Sequence, residues 1–249
     1  MKSSLPIRRR KRSAPTRKPS APATIDFAEF GRLDLGGSAR CGGPEVILAE
    51  GKAAAQLAEI VARTVASQGR CIVTRVSPEQ AGVIGGRAER EGFQADYREV
   101  PRAIVVSRVR LPEKNGGIVA ILTAGTADLP VAEEARLIAE EMGCMVRTAY
   151  DVGAAGIHRL FPALRSVLDA HVFIVAAGRE GTLPAVVAGL VDRPVIGLPV
   201  SSGYGYMGEG KAALASMLQS CSVLAVVNID AGFTAGAFAA RIATMAVGR

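Results

Sequence analysis

The sequence predicts an α/β protein in which a small N-terminal α/β domain precedes a doubly wound, five-stranded parallel sheet, a three-layer α/β/α arrangement. Three observations predict it. Hydrophobic residues make up 49% of the 249 and aromatics only 4%, so the core is built from Ala, Val, Leu and Ile, which suits layered α/β packing. Short β-branched runs alternate with helical patterns five times after residue 117, as right-handed crossovers require. Each run ends in a loop of glycines and polar side chains, the composition of ligand-binding loops at the carboxyl ends of such strands.

Residues 1–25 read as a disordered basic tail. Eight of the 30 basic residues lie in positions 1–23 with no acid, so 22 basic residues face 23 acidic ones in the rest, a body of net charge −1. Rich in Ser and Pro, the tail cannot bury enough apolar surface to fold alone. No aromatics interleave its charges for base stacking, so nucleic acid is not the expected partner. It lacks the apolar core of a secretory signal, and no segment reaches the ~20 apolar residues of a membrane span. A soluble, cytoplasmic protein with no membrane partner is expected.

Residues 26–112 form the small domain. Positions 26–44 show no clear period; 45–52 (EVILAEGK) give a short strand and turn; 53–68 give a helix with Leu57, Ile60, Val61 and Val65 on one side. A strand at 71–76, a helix capped by Ser77 in a Ser-Pro-Glu start and running through the 90s, and a strand at 103–109 follow. The Pro, Asn and Gly residues of 111–117 (LPEKNGG) make a linker.

Residues 117–249 form the second domain. Strands are expected near 118–123, 144–149, 172–177, 194–199 and 224–229, and helices near 130–142, 157–169, 183–191, 209–219 and 235–246. The first strand ends in Gly125, Thr126 and Asp128 before a helix opened by Pro130, which is either a nucleotide-binding loop or an ordinary strand-to-helix connection. The next strand ends bring Asp151, His158 and Arg159; then Arg179, Glu180 and Gly181; then Ser201, Ser202, Gly203, Tyr204 and Gly205; and last Asn228 and Asp230.

Arg159 is either a surface charge or a planar fork for a carboxylate or phosphate, and His158 a local cap or a proton carrier. Glu180 is a solvated carboxylate, a general base, or an aid to holding magnesium against phosphate. The four cysteines (Cys41, Cys71, Cys144, Cys221) have no metal-site or disulfide spacing, and Cys221 reads as packed or nucleophilic. Two histidines, His158 and His171, exclude an all-histidine metal centre, and no residue set is assigned to a metal.

Taken together, PEVILAEGK (44–52), TRVSPEQ (74–80), TAGTADLPVAEEA (123–135), YDVGAAGIHRL (150–160), residues 177–205 and MLQSCSVLAVVNIDAGF (217–233) resemble the LarB family. These are the pyridinium-3,5-biscarboxylic acid mononucleotide synthases of nickel-pincer nucleotide cofactor biosynthesis. The resemblance runs from about Asp26 to the C-terminus, and the second half is similar to the aminoimidazole ribonucleotide carboxylase/mutase (PurE) family. It implies nicotinic acid adenine dinucleotide and carbon dioxide as substrates, carboxylation of the pyridinium ring through a cysteine adduct, and phosphoanhydride hydrolysis releasing AMP. It also implies a homo-oligomer and magnesium, with no nickel, flavin or biotin.

By this resemblance Cys221 is the nucleophile and Glu180 the catalytic loop carboxylate, on neighbouring strand ends. Arg159 would bind carbon dioxide or the ring carboxylate, with His158 beside it. Gly125, Thr126 and Asp128 would hold the ribose-phosphate end, and Ser201 to Gly205 would approach the phosphates, with Asp151, Gly181, Asn228 and Asp230 completing the binding set. The chain departs from the family pattern at Ala127, where serine is usual, and at Arg179, where an apolar residue is usual and which would pair with Glu180. The purine carboxylase/mutase is the nearest rival, but this chain has Thr182 where that family has histidine. A non-catalytic nucleotide-binding module is the rival of another class. The tail lies outside every matching motif, so deletion of residues 1–23 is expected to leave turnover unchanged in steady-state assays.

Overall fold

A computed structural model describes residues 42–111 and 113–248, together with the backbone of two strands at 24–27 and 31–34. Most of the expected basic tail and Cys41 lie outside the described residues. Strands β1 (Thr24–Phe27) and β2 (Gly31–Asp34) pair antiparallel as a hairpin, in a stretch that shows no sequence period. β1 takes in the last two residues read as tail.

The first sheet comprises β3 (Val46–Leu48), β4 (Arg70–Thr74), β5 (Gln94–Arg98) and β6 (Ala103–Ser107) in the order β3-β4-β6-β5. β3 and β4 are parallel, and β6 runs antiparallel to both β4 and β5. Helix α1 (Ala54–Gln68) buries Leu57, Ile60, Val61 and Val65, the predicted face. Helix α2 (Pro78–Arg90) starts in a capping box: the Gln80 amide donates to Ser77 Oγ at 3.1 Å and the Ser77 amide to Gln80 Oε1 at 3.0 Å. The helix expected through the 90s ends at Arg90, and strand β5 takes up residues that its pattern was read to include. It lies at the sheet edge with Gln94, Ala95 and Asp96 exposed, so no apolar alternation was required of it.

The second sheet is wholly parallel. β7 (Ile118–Thr123), β8 (Met145–Ala149), β9 (Val172–Ala177), β10 (Val195–Pro199) and β11 (Ala225–Val226) lie in the order β11-β10-β9-β7-β8. The winding reverses between β7 and β9, so the crevice above those two strands is the topological switch point. Helices α3 (Leu129–Glu141) and α7 (Gly232–Ala246) cover one face, and α4 (Leu160–Arg165), α5 (Thr182–Ala188) and α6 (Lys211–Leu218) the other.

Two elements are shorter than their sequence pattern. The helix expected at 157–169 is a 3-10 turn over 154–159 followed by α4, because Pro162 is tolerated only in a first helical turn and Gly156 leaves helical geometry. The last strand pairs through two residues only, after which the Val227 and Asp230 amides still bond the β10 carbonyls of Gly197 and Pro199.

Helix α3 lies between the sheets. Ala132, Ala135 and Ala139 pack on β7 and β9, while Leu137 and Ile138 pack on Ile72, Ala103 and Val105 of the first sheet. Polar contacts follow the same seam: Arg70 grips Glu141 with Nε and Nη2, the latter at 2.7 Å, and Arg98 Nη1 bonds Glu140 at 3.1 Å. Among the described residues no helix is long and apolar enough to cross a membrane.

Burial also traps Glu134 of α3 and pushes its carboxyl up to about 7, against the opposing pull of Arg75 and Thr74 and with further upward pressure from Asp230 and Glu50. A carboxyl raised on folding holds its proton longer in the native state than in the unfolded chain. Its contribution is therefore full below about pH 4.5 and is lost as pH rises through about 7. Glu134→Gln is expected to flatten the decline in denaturation midpoint between pH 5 and pH 8, an effect of at most about 3 kcal/mol, measured by urea unfolding of both proteins across that range.

Candidate active site

The side chain at the switch point is Asp128. It closes a 3-10 turn over 126–128 that Gly125 begins, and Pro130 then opens α3. Its carboxylate is only 3% exposed and ties three loops together. Oδ2 accepts the Gly125 amide at 2.9 Å, Oδ1 accepts the Ser202 hydroxyl at 2.9 Å, and the Gly178 amide after β9 bonds it as well. Burial pushes its pKa above the usual carboxylate range, while those three donors hold it down. Asp128 is thus a loop anchor, and its neighbour Thr126 stands exposed on the same turn. Ala127 is exposed beside Thr126, so a serine hydroxyl there would meet ligand or solvent without disturbing the fold.

The β10 loop is positioned by close backbone approach. A Cβ on Gly178 would overlap Ser202 Oγ, and one on Gly203 would overlap the Gly178 carbonyl. These glycines let the β9 and β10 loops nest on each other. Arg179 does not pair with Glu180: its guanidinium stacks over the exposed Tyr204 ring at 4.1 Å. Glu180 is exposed at the rim, and Gly181 (φ 69°) leads into α5 at Thr182.

On the β8 side, Asp151 (φ 55°) donates its amide to Thr123 Oγ1 at 3.0 Å and pairs with Arg159 Nη1 at 2.5 Å. Arg159 also lies over Gly156, where a Cβ would approach Nε to 2.7 Å. His158 is exposed on the same 3-10 turn. Tyr150, at the same strand end, turns back to donate to Glu133 of α3. On the other side Asp230 Oδ1 accepts the Ser201 amide at 2.8 Å, and Asn228 Oδ1 accepts the Ile229 amide at 2.9 Å.

Cys221 stands apart from this group. It follows α6 and precedes β11, whose Ala225 pairs with Ile196 near the start of β10. Its turn is pinned to the middle of α5, where Ser222 Oγ donates to the Ala185 carbonyl at 3.0 Å. In a parallel sheet a residue that precedes a strand sits at the amino end, and β10 spans on the order of 13 Å between its ends. One chain therefore does not bring Cys221 and Glu180 to neighbouring strand ends, as expected from sequence. Cys221 is nonetheless the exposed thiol among the described cysteines. Cys71 and Cys144 are buried, and desolvation pushes the Cys71 thiol up to about 12.

Sequence reasoning missed Arg75, which reaches the rim from the first sheet: Nη2 donates to the Asp230 carbonyl at 3.0 Å and Nη1 to Glu50 at 3.3 Å. The motif TRVSPEQ contained it, but nothing local revealed which strand end it would meet. Among the described residues no group of three or more His, Cys, Asp or Glu side chains is placed to hold a metal ion. The donor set therefore does not fit a protein-built magnesium cage.

Comparison with known proteins matches the chain in two stretches. Residues 25–108 match the LarB/PurE-like N-terminal domain, and residues 118–248 match the AIR carboxylase domain. An uncharacterized protein of Methanocaldococcus jannaschii is 41% identical over 216 residues, 85% of this chain and 83% of that protein. The N5-carboxyaminoimidazole ribonucleotide mutase of the same organism is 33% identical over 130 residues, half of this chain and 78% of the mutase. A probable mutase of that kind from Methanothermobacter thermautotrophicus is 32% identical over 130 residues, 37% of its length. With a switch-point rim built on a wholly parallel sheet and both domains matched in order, the chain belongs to the LarB/PurE-like family that joins this N-terminal domain to an AIR carboxylase domain.

Proposed function

We propose that this carboxylase/mutase-type protein carboxylates the pyridinium ring of nicotinic acid adenine dinucleotide with carbon dioxide and hydrolyses its phosphoanhydride to release AMP. The observation that carries the reading is the exposed thiol of Cys221 in a chain whose other described cysteines are buried. A purine mutase or a passive binder has no use for a reactive thiol.

The chemistry follows from electron demand. Pyridinium and carbon dioxide are both electrophiles, so the ring must first gain an electron pair. The Cys221 thiolate supplies it by forming a C–S bond, giving a dihydropyridine whose ring carbon attacks carbon dioxide. A base then removes the proton at the new C–C bond and the C–S bond breaks, restoring the pyridinium and the thiolate. Glu180, exposed at the rim, is assigned as that base, and Arg159 as the cation for the entering carboxylate. Hydrolysis places water on one phosphorus with AMP as leaving group, and Thr126 and the Ser201–Gly205 loop hold the phosphates. Magnesium is proposed to enter on the substrate phosphates, and no step here depends on it.

The separation of Cys221 from the rim supports a homo-oligomer in which one subunit's Cys221 serves the rim of another. Leu218 and Val223, on either side of Cys221, are 65% and 93% exposed, as an uncovered interface requires.

Incubation of the full chain with the dinucleotide, bicarbonate and magnesium is expected to yield AMP and a doubly carboxylated mononucleotide by mass spectrometry; turnover of a purine carboxyamino ribonucleotide instead would overturn the assignment. Cys221→Ala is expected to abolish carboxylation, and full carboxylation by that variant would remove the thiol from the mechanism. Asp128→Ala leaves the Gly125 amide and Ser202 hydroxyl without their acceptor, a loss of about 1–3 kcal/mol. It is expected to lower kcat/KM by about ten- to a hundredfold in the same assay.

A further inference from the structure

Among the described residues five that are not glycine adopt positive φ, and two of them face each other across the seam between the sheets. Arg75 (φ 55°) follows β4 directly; Asp230 (φ 55°) follows β11. Left-handed backbone is strained for a residue with a Cβ. Both positions nevertheless carry charged side chains, and both side chains make hydrogen bonds.

The contacts form a continuous path. Arg75 Nη2 donates to the Asp230 carbonyl at 3.0 Å. The Asp230 amide donates to Pro199 at the end of β10 at 2.9 Å, and its carboxylate takes the Ser201 amide at 2.8 Å. The next residue, Ser202, donates to Asp128 at 2.9 Å, and Asp128 takes the Gly125 amide. Every loop named as a phosphate holder is thus reached from one guanidinium of the first sheet. Glu50, after β3, bonds Nη1 at 3.3 Å, so the guanidinium is held at two corners, by a carboxylate of its own sheet and by the Asp230 carbonyl. Two acceptors on separate segments fix its direction more firmly than a single exposed pair would.

We propose that Arg75 is a positioning residue of the rim: through it the N-terminal sheet holds the Asp230 turn and the Ser201–Ser202 loop in register for the nucleotide phosphates. Its action is on ligand binding, and it touches no reacting atom. The proposal rests on the dinucleotide reading for its ligand, while its mechanical part stands on geometry alone.

The test uses the full chain with Arg75→Met and Arg75→Lys. KM and kcat for nicotinic acid adenine dinucleotide are measured separately, and amide hydrogen exchange is followed by mass spectrometry. Arg75→Met is expected to raise KM at least tenfold with kcat within threefold of wild type, and to speed exchange at least tenfold in peptides covering 199–210 and 227–233. Arg75→Lys, which keeps one cationic donor, is expected to fall between the two. If Arg75→Met does not fold, Arg75→Lys carries the test with a threefold rise in KM and faster exchange in the same peptides. Unchanged KM and exchange in a folded variant, a loss confined to kcat, or exchange raised equally across the chain would overturn the proposal. Wild-type protein inert toward the dinucleotide would count against the substrate reading, and the exchange data would then decide Arg75 by themselves.

Discussion

Everything in this molecule depends on one helix being buried on two sides. α3 presents alanines to the parallel sheet and Leu137 and Ile138 to the mixed sheet, so neither sheet covers its inner face without it. A helix in that position cannot be amphipathic in the ordinary sense, and its acids must find partners or lose their charge. Glu140 and Glu141 find arginines of the first sheet; Glu134 sits where burial favours its proton. Across the same seam the Arg75 side chain, just past β4, reaches the Asp230 carbonyl that follows β11.

The three central strands of the parallel sheet were legible because they are buried on both faces and read as continuous apolar runs of the right length. β7, β9 and β10 match their predicted spans to within a residue. What was not legible had no such driving force. β5 has one neighbour and little apolar surface to hide; β11 is held by backbone bonds to β10 more than by its own side chains. In the candidate site the residue types and loops were readable, but their directions were not. Asp128 points down into the protein, Tyr150 back to Glu133, and Arg179 onto Tyr204, each set by contacts between segments far apart in sequence. Arg75 and Asp230 are 155 residues apart, beyond the reach of any local pattern. Topology also corrects the placement of Cys221, since a residue that precedes its strand belongs to the opposite edge from one that follows.

The site divides its labour accordingly. Buried groups, chiefly Asp128 and the nested glycines Gly178 and Gly203, define the rim's shape, and Thr126, Arg159 and Glu180 stand exposed on it. Shape set by buried contacts is rigid, which suits the alignment of reacting groups better than a site built from mobile surface charges.

The two-residue pairing of β11 gives the sheet one weak border. A segment with so little ladder can open without the rest of the molecule unfolding, at a free energy well below that of global denaturation. Cys221 precedes that segment and Asp230 follows it, so the thiol's turn and the anchor of the Ser201 loop flank the same thin border, one at its amino end and one at its carboxyl end.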